Sequence, residues 1–158
     1  MISLFIGCKK ESDSRIDIYL LKSFTVTTYQ ATNPATLEIS NAVLDNSPLV
    51  SDRDIAYYTK ATTTFKLKKD IRQIIKDFGA DKAFAVTVNN KPVYFGQFHP
   101  AFLSSITFGI ATIDPILSGN NDLEIQFAKI DGFTGLEQLD RRNNDLIINS
   151  LRTSGRLR

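Results

Sequence analysis

Few residues in this chain have side chains suited to chemistry, and they are scattered. Among 158 residues there is one cysteine, Cys8, and one histidine, His99. A lone histidine can act as a general base where a nucleophile and an orienting acid meet it, and Ser104 and Ser105 follow His99 closely. The chain has no Gly-x-Ser-x-Gly elbow, so the opposing reading is a loop histidine satisfied by backbone groups. Arg141 and Arg142 can hold a carboxylate or phosphate with paired N–H donors, or they can serve ion pairing and capping ahead of a helix. Tyr94, Phe95, Phe98 and Phe102 form an aromatic group that either lines a ligand groove or fills the core. Lys68, Arg72 and Lys76 recur every four residues, as a solvated helix back or as a face for anionic headgroups or an acidic partner. Zinc needs several thiolates or imidazoles, and Asn120-Asn121-Asp122 stands outside any calcium-loop pattern. No metal and no cofactor is expected.

These residues must be positioned by a mixture of strands and helices. Ile16 to Lys22 and Phe24 to Tyr29 are rich in apolar, β-branched and aromatic residues, as one long strand or a bent pair. A polar connection from Ala31 to Pro48 carries turn markers and space for a short strand at Leu37 to Ile39. Ser51-Asp52-Arg53-Asp54 reads as a single helical turn, and Thr62 to Leu67 as a strand. A helix is expected from Lys68 to Phe78, with Ile71, Ile74, Ile75 and Phe78 on one stripe and Gly79 as its stop. Ala83 to Phe98 reads as a hairpin turning at Asn89-Asn90-Lys91, because Asn tolerates the positive φ of tight turns. Strands at Phe108 to Ile113 and Leu123 to Lys129 follow. A last helix from Asn144 to Thr153 buries Leu146, Ile147 and Leu151 or their neighbours and ends at Gly155. The expected fold is α+β, a mainly antiparallel or mixed sheet of about five to six strands with two helices packed on it. Thr62–Leu67, the first helix and Ala83–Val88 can form a β-α-β crossover or an α+β split unit.

At 42% hydrophobic and 23% charged the composition is that of an ordinary globular domain. A single domain of this length buries roughly 68–70% of its unfolded surface and needs no staple. Net charge is only +2 and spread along the chain, which gives no basic face for nucleic acid. No run approaches the roughly 20 apolar residues of a membrane-spanning helix.

Met1 to Cys8 is uncharged and apolar, and Lys9 to Ser14 turns abruptly polar. Phe5-Ile6-Gly7-Cys8 resembles the lipobox of a bacterial lipoprotein signal peptide, in which the cysteine thiol becomes a diacylglyceryl thioether. That resemblance implies a membrane anchor at Cys8, with residues 1–8 as the end of a signal peptide. Residues 9–15 then form a flexible tether and 16–158 a single domain. No basic segment precedes the apolar run, so a complete leader would begin upstream of Met1. Otherwise Cys8 sits incidentally in a buried first strand and the protein is cytoplasmic.

Several longer segments carry a wider likeness: IDIYLLKS, SPLVSDRDIAYY, AFAVTVNNKPVYFGQF, SSITFGIATIDPI and DRRNNDLIINSLRTSGRL. Through them the chain resembles a family of uncharacterised Gram-negative lipoproteins, which brings no catalytic residues with it. The order of strand, helix, hairpin and strand is also similar to the head subdomain of the periplasmic part of SecD, a protein-export component. These likenesses imply a lipid-anchored protein facing the periplasm or cell surface. Its expected role is a non-enzymatic module that binds a protein or small molecule, with His99, Arg141, Arg142 and Tyr94 as candidate contacts. The rivals are a small periplasmic hydrolase using the His99 region and an accessory to protein export.

Overall fold

The computed structural model describes residues 14–158 except 33, 119, 120, 132 and 134; the expected anchor at Cys8 lies outside the described residues. The fold is α+β, with nine strands in two sheets among the described residues. The larger sheet has the order β2-β1-β5-β6-β7-β9 and the smaller the order β3-β4-β8.

Strand β1 (Ile16–Tyr29) is one 14-residue strand, as its unbroken run of strand formers anticipates. Its first half pairs with β5 (Ala83–Val88) and its second half with β2 (Thr36–Leu44), through irregularities near Leu21 and Ser23. Such bulges bend and twist a strand. Here they carry the β1–β2 ribbon toward the segment before β7 (Ala111–Ile113), where Leu37 N–H donates to Phe108 O at 2.9 Å. The ribbon shelters a small second core of Leu21, Ile39, Ala83, Ala85 and Ile110. The expected short strand at Leu37 to Ile39 is therefore the first part of a longer one.

Strand β5 and strand β6 (Lys91–Phe98) make the expected hairpin, with a two-residue turn. Asn89 and Asn90 both take positive φ, 50° and 62°. That is the geometry whose twist matches the flanking strands. Phe84, Val86 and Val88 face the main core while Ala83 and Ala85 face the second. Gly96 is required by a close approach: a Cβ there would lie 2.2 Å from Phe84 Cζ and 2.7 Å from Ala111 O. Strand β7 runs parallel to β6, so the chain leaves both strands at the same end of the sheet.

In the smaller sheet, β3 (Ile55–Thr59) pairs with β4 (Thr64–Leu67), and β4 with β8 (Asp122–Glu124). Strand β9 (Gln126–Phe127) follows at once and belongs to the larger sheet. The segment Leu123 to Lys129 thus serves both sheets instead of forming one strand. Because β4 and β5 lie in different sheets, they do not make a parallel β-α-β unit.

The first helix is much shorter than its apolar stripe suggests. Helix α1 spans only Arg72–Ile75. Ile71 and Ile75 are buried, but Ile74 is 53% exposed and Gly79 does not take a positive φ. A helix this short has little stability of its own and persists on the packing of two isoleucines. Lys68 lies outside it, so Lys68, Arg72 and Lys76 do not form one helical face.

Helix α2 (Asp145–Thr153) matches its expected bounds. Asn144 caps it by accepting from Leu146 N–H at 3.0 Å, and Gly155 at φ 69° follows its end. The buried stripe is Ile147, Ile148 and Leu151, and Leu146 is 61% exposed, one position out of phase. The last residues lie beside β3, with Tyr58 N–H donating to Arg156 O at 2.8 Å. No helix among the described residues is long and apolar enough to cross a membrane.

Candidate functional site

The parallel pair β6–β7 sends out two loops from one end of the larger sheet, residues 99–110 and a second whose described part is 114–118. Between them and the β8–β9 segment lie two adjoining cavities. The larger, about 670 Å³, is lined by Thr63, His99, Ile106, Glu124, Gln126 and Arg142 among others. The smaller, about 350 Å³, takes in Tyr57, Thr64, Asp114, Leu117, Asp122 and Glu124. Thr62, Glu124 and Gln126 line both.

Two of the four candidate contacts, His99 and Arg142, meet at the larger cavity. His99 follows β6, where its N–H donates to Ile113 O at 2.8 Å. Its Nε2 lies 2.7 Å from Ser105 O, and its Nδ1 lies 3.3 Å from Thr107 Oγ1. A carbonyl only accepts, so Nε2 carries a proton, and in the neutral ring Nδ1 accepts the Thr107 hydroxyl. Both nitrogens are spent on pinning the histidine's own loop.

Arg142 is held more tightly. Its side chain is 13% exposed, and its Nε and Nη2 grip both oxygens of Asp140 at 2.8 and 2.7 Å. Nη1 donates to Ile125 O at 2.9 Å and to Thr63 Oγ1 at 3.0 Å, and the guanidinium stands 5.7 Å from the Phe127 ring centroid. Burial works against the Arg142 charge, but the hydrogen bonds and charge of Asp140 outweigh it and raise its pKa. Burial likewise would raise the Asp140 carboxyl. The hydrogen bonds from the Arg142 side chain and backbone, with the charges of Arg142 and Lys129, hold it below its ordinary value instead. Arg142 therefore ties the 140–143 segment to both sheets.

The adjacent arginine goes elsewhere. Arg141 is exposed and lines a separate cavity of about 420 Å³ with Tyr29, Leu37, Tyr94, Phe95 and Leu139. Tyr94 is 7% exposed, and its hydroxyl has no hydrogen-bond partner among the described residues. Burial pushes that phenol well up, with Tyr58 adding to the shift. Of the aromatic group, Phe98 is fully buried, whereas Phe102 is 73% exposed, against the expectation of core packing.

Glu124 and Gln126, which with Thr62 line both cavities, carried no recognisable motif. Their only signal was their position as the polar members of an alternating strand, Asp122 to Phe127. The loops beside them expose apolar side chains: Phe102 and Ile106 at 73% and 70%, Ile116 and Leu117 at 51% and 69%. Among the described residues no group of three or more His, Cys, Asp or Glu is placed to hold a metal ion. The chain matches no protein-family model, no curated protein and no solved structure.

Proposed function

We propose that this protein is a lipid-anchored cell-envelope protein whose body is a non-enzymatic binding module. Its binding surface is the cleft between the 99–110 loop and the 114–118 turn. The observation that supports this reading is how the cleft spends its side chains. His99 and Arg142, its two candidates for chemistry, are saturated by internal partners, while Ile106 and Leu117 stand largely exposed on its walls and Phe102 on the adjoining 99–110 loop. Exposed apolar side chains gathered at one end of a sheet mark an interaction surface.

The anchoring part rests on the lipobox-like Phe5–Cys8 and is consistent with the direction of β1. Arg15 N–H donates to Asn89 Oδ1 at 2.9 Å, so the chain enters the body at the hairpin-turn end of β6. The cleft lies at the other end, about 25 Å along that strand. An anchor at Cys8 thus joins the body opposite the cleft and leaves the cleft accessible from the periplasm or cell surface.

Cys8→Ser is expected to move the protein from the membrane to the soluble fraction, and unchanged membrane association would refute the anchor. A photo-crosslinking residue at Phe102 is expected to give a discrete adduct in the native cell; its absence would refute the binding cleft. One contact favours a second reading, a small hydrolase, since the Thr107 hydroxyl lies 3.3 Å from His99 Nδ1 within the cleft. Hydrolysis of p-nitrophenyl acetate separates the two. A binding module leaves the rate unchanged in His99→Gln, whereas a tenfold fall would favour the hydrolase.

A further inference from the structure

The cleft has a strand edge exposed inside it. Ile125 N–H donates to Thr63 O at 3.1 Å, and Leu67 N–H to Asn121 O at 2.7 Å. The odd residues of this segment therefore turn their backbone groups toward β4. In an antiparallel ladder the alternate residues turn the opposite way, so the N–H and C=O of Asp122 and Glu124 point away from β4. On that side β7 pairs with β9, but the ladder ends at Thr112 and Gln126. Beyond it Asp114 and Pro115 carry the chain off. Asp114 Oδ1 accepts from the N–H groups of Ile116 and Leu117 at 2.8 and 3.1 Å, which fixes the turn. The edge of β8 at Glu124 is left facing the smaller cavity, with no backbone bond to the 114–118 turn among the described residues.

We infer that this open edge of β8, with the groove beside it, takes an extended peptide segment that carries a basic side chain between apolar ones. The inference rests on the binding-cleft reading and names its partner. An unpaired strand edge supplies main-chain hydrogen bonds to an added strand, and flanking pockets select its alternate side chains. Apolar partners are available on both walls, Ile106 on the larger cavity and Leu117 on the smaller. Charge sets the basic preference. Asp122 is paired with Lys66 at 2.9 Å and Asp114 is taken by backbone N–H groups. Glu124 is exposed, lines both cavities and forms no ion pair among the described residues. A saccharide would use the same carboxylates but prefers aromatic platforms. Of the aromatic side chains lining the two cavities, Tyr57 already has the Arg158 guanidinium 5.6 Å from its ring centroid, and Phe127 is buried with the Arg142 guanidinium 5.7 Å from its own.

The test uses the full chain, a phage-displayed library of random nonapeptides and, as the saccharide probe, chitotetraose. Selected peptides are expected to carry Lys or Arg with Val, Ile or Leu at alternate positions. Their synthetic forms should slow amide hydrogen exchange at Asp122 and Glu124 at least tenfold. Glu124→Lys, an exposed substitution whose folding a thermal melt verifies, should weaken binding at least tenfold, and Ile74→Ser on α1 should leave it within twofold. The inference is overturned if no peptide is enriched, or if binding survives Glu124→Lys with exchange at the edge unchanged. It is also overturned if chitotetraose alone perturbs these amides. An adduct from position 102 without any peptide binding would sink this inference and spare the binding-cleft reading, and failure of both experiments would sink both.

Discussion

Replacing Arg142 by methionine tests the view that this residue is a structural tie rather than a ligand contact. Methionine keeps most of the apolar stem beside Phe127 and removes the guanidinium. The substitution leaves the Asp140 carboxylate, whose side chain is only 17% exposed, without its cation, and it strips donors from Ile125 O and Thr63 Oγ1. Breaking a buried ion pair at one partner costs about 3–5 kcal/mol. The residual exposure places the expected loss near the lower end, about 3 kcal/mol at pH 7. For a domain of this size that lowers the thermal midpoint by roughly 6–12 °C. Acid should narrow the gap. In the wild type Asp140 titrates below 3.8, so its contribution is present above that value and is lost as pH falls through the lowered one. In the variant the same carboxyl keeps its burial without its partner, titrates higher, and is relieved by protonation. Urea unfolding of both proteins at pH 7 and pH 3 measures the two effects. Asp140→Asn added to Arg142→Met should recover at least about 1 kcal/mol at pH 7, since it removes the stranded charge. A loss under about 1 kcal/mol at pH 7, or one that does not shrink in acid, would refute the structural assignment.

Two other substitutions probe the frame around the cleft. Asp54 is pushed up by burial but brought down to about 2 by hydrogen bonds from Ser51 and Lys69 and by the Lys69 charge. Asp54→Asn should therefore cost about 1–2 kcal/mol at neutral pH after allowance for solvent screening, and acid unfolding curves should converge between pH 3.8 and about 2. Gly96→Ala should cost about 3 kcal/mol, because the added methyl would meet the fully buried Phe84 ring and the Ala111 carbonyl. Phe84→Leu in the same chain should return part of that loss, and strict additivity in denaturant titrations would show that the two do not collide.

Where a local conformational demand was strong, the fold was legible in the sequence. Asn89-Asn90 between two apolar runs can hardly do other than turn a hairpin, and Asn144 with Gly155 brackets α2 to the residue. The apolar stripe of Ile71, Ile74, Ile75 and Phe78 was satisfied on paper, yet only Arg72–Ile75 is helical and Ile74 faces solvent. Periodicity reports which residues would share a face, whereas the partner on which that face packs is a tertiary fact. Leu146 went astray for a related reason: the buried stripe passes through Ile147, Ile148 and Leu151, and its phase is set by the sheet beneath. Strand β2 was underestimated because Glu38, Ser40 and Asn41 interrupt its apolar run, although Leu37, Ile39, Ala42 and Leu44 all belong to or pack on the small second core. At the cleft, His99 and Arg142 could be named but not placed together, since the parallel β6–β7 pairing that joins them is a long-range contact. Glu124 had no signal beyond strand alternation.

Arg141 and Arg142 show why residue type alone misleads about function. They are neighbours in sequence, and their side chains leave the backbone toward different cavities, so a paired-arginine anion site never forms. What does form is a local unit that occurs twice. In Asp70-Ile71-Arg72 and in Asp140-Arg141-Arg142, the carboxylate accepts from the arginine's own N–H, at 2.9 and 3.2 Å, and the guanidinium returns to both carboxylate oxygens. The first unit is exposed at 43% and 37%, where solvent screens the pair, and it decorates the start of α1. The second is sunk between two sheets, and its spare donor reaches Ile125 O on the segment that carries Glu124. The same three-residue chemistry is ornament in one place and scaffold in the other. Burial decides between them, and under the proposed binding reading it leaves the exposed edge of β8, instead of the arginines, to meet a partner.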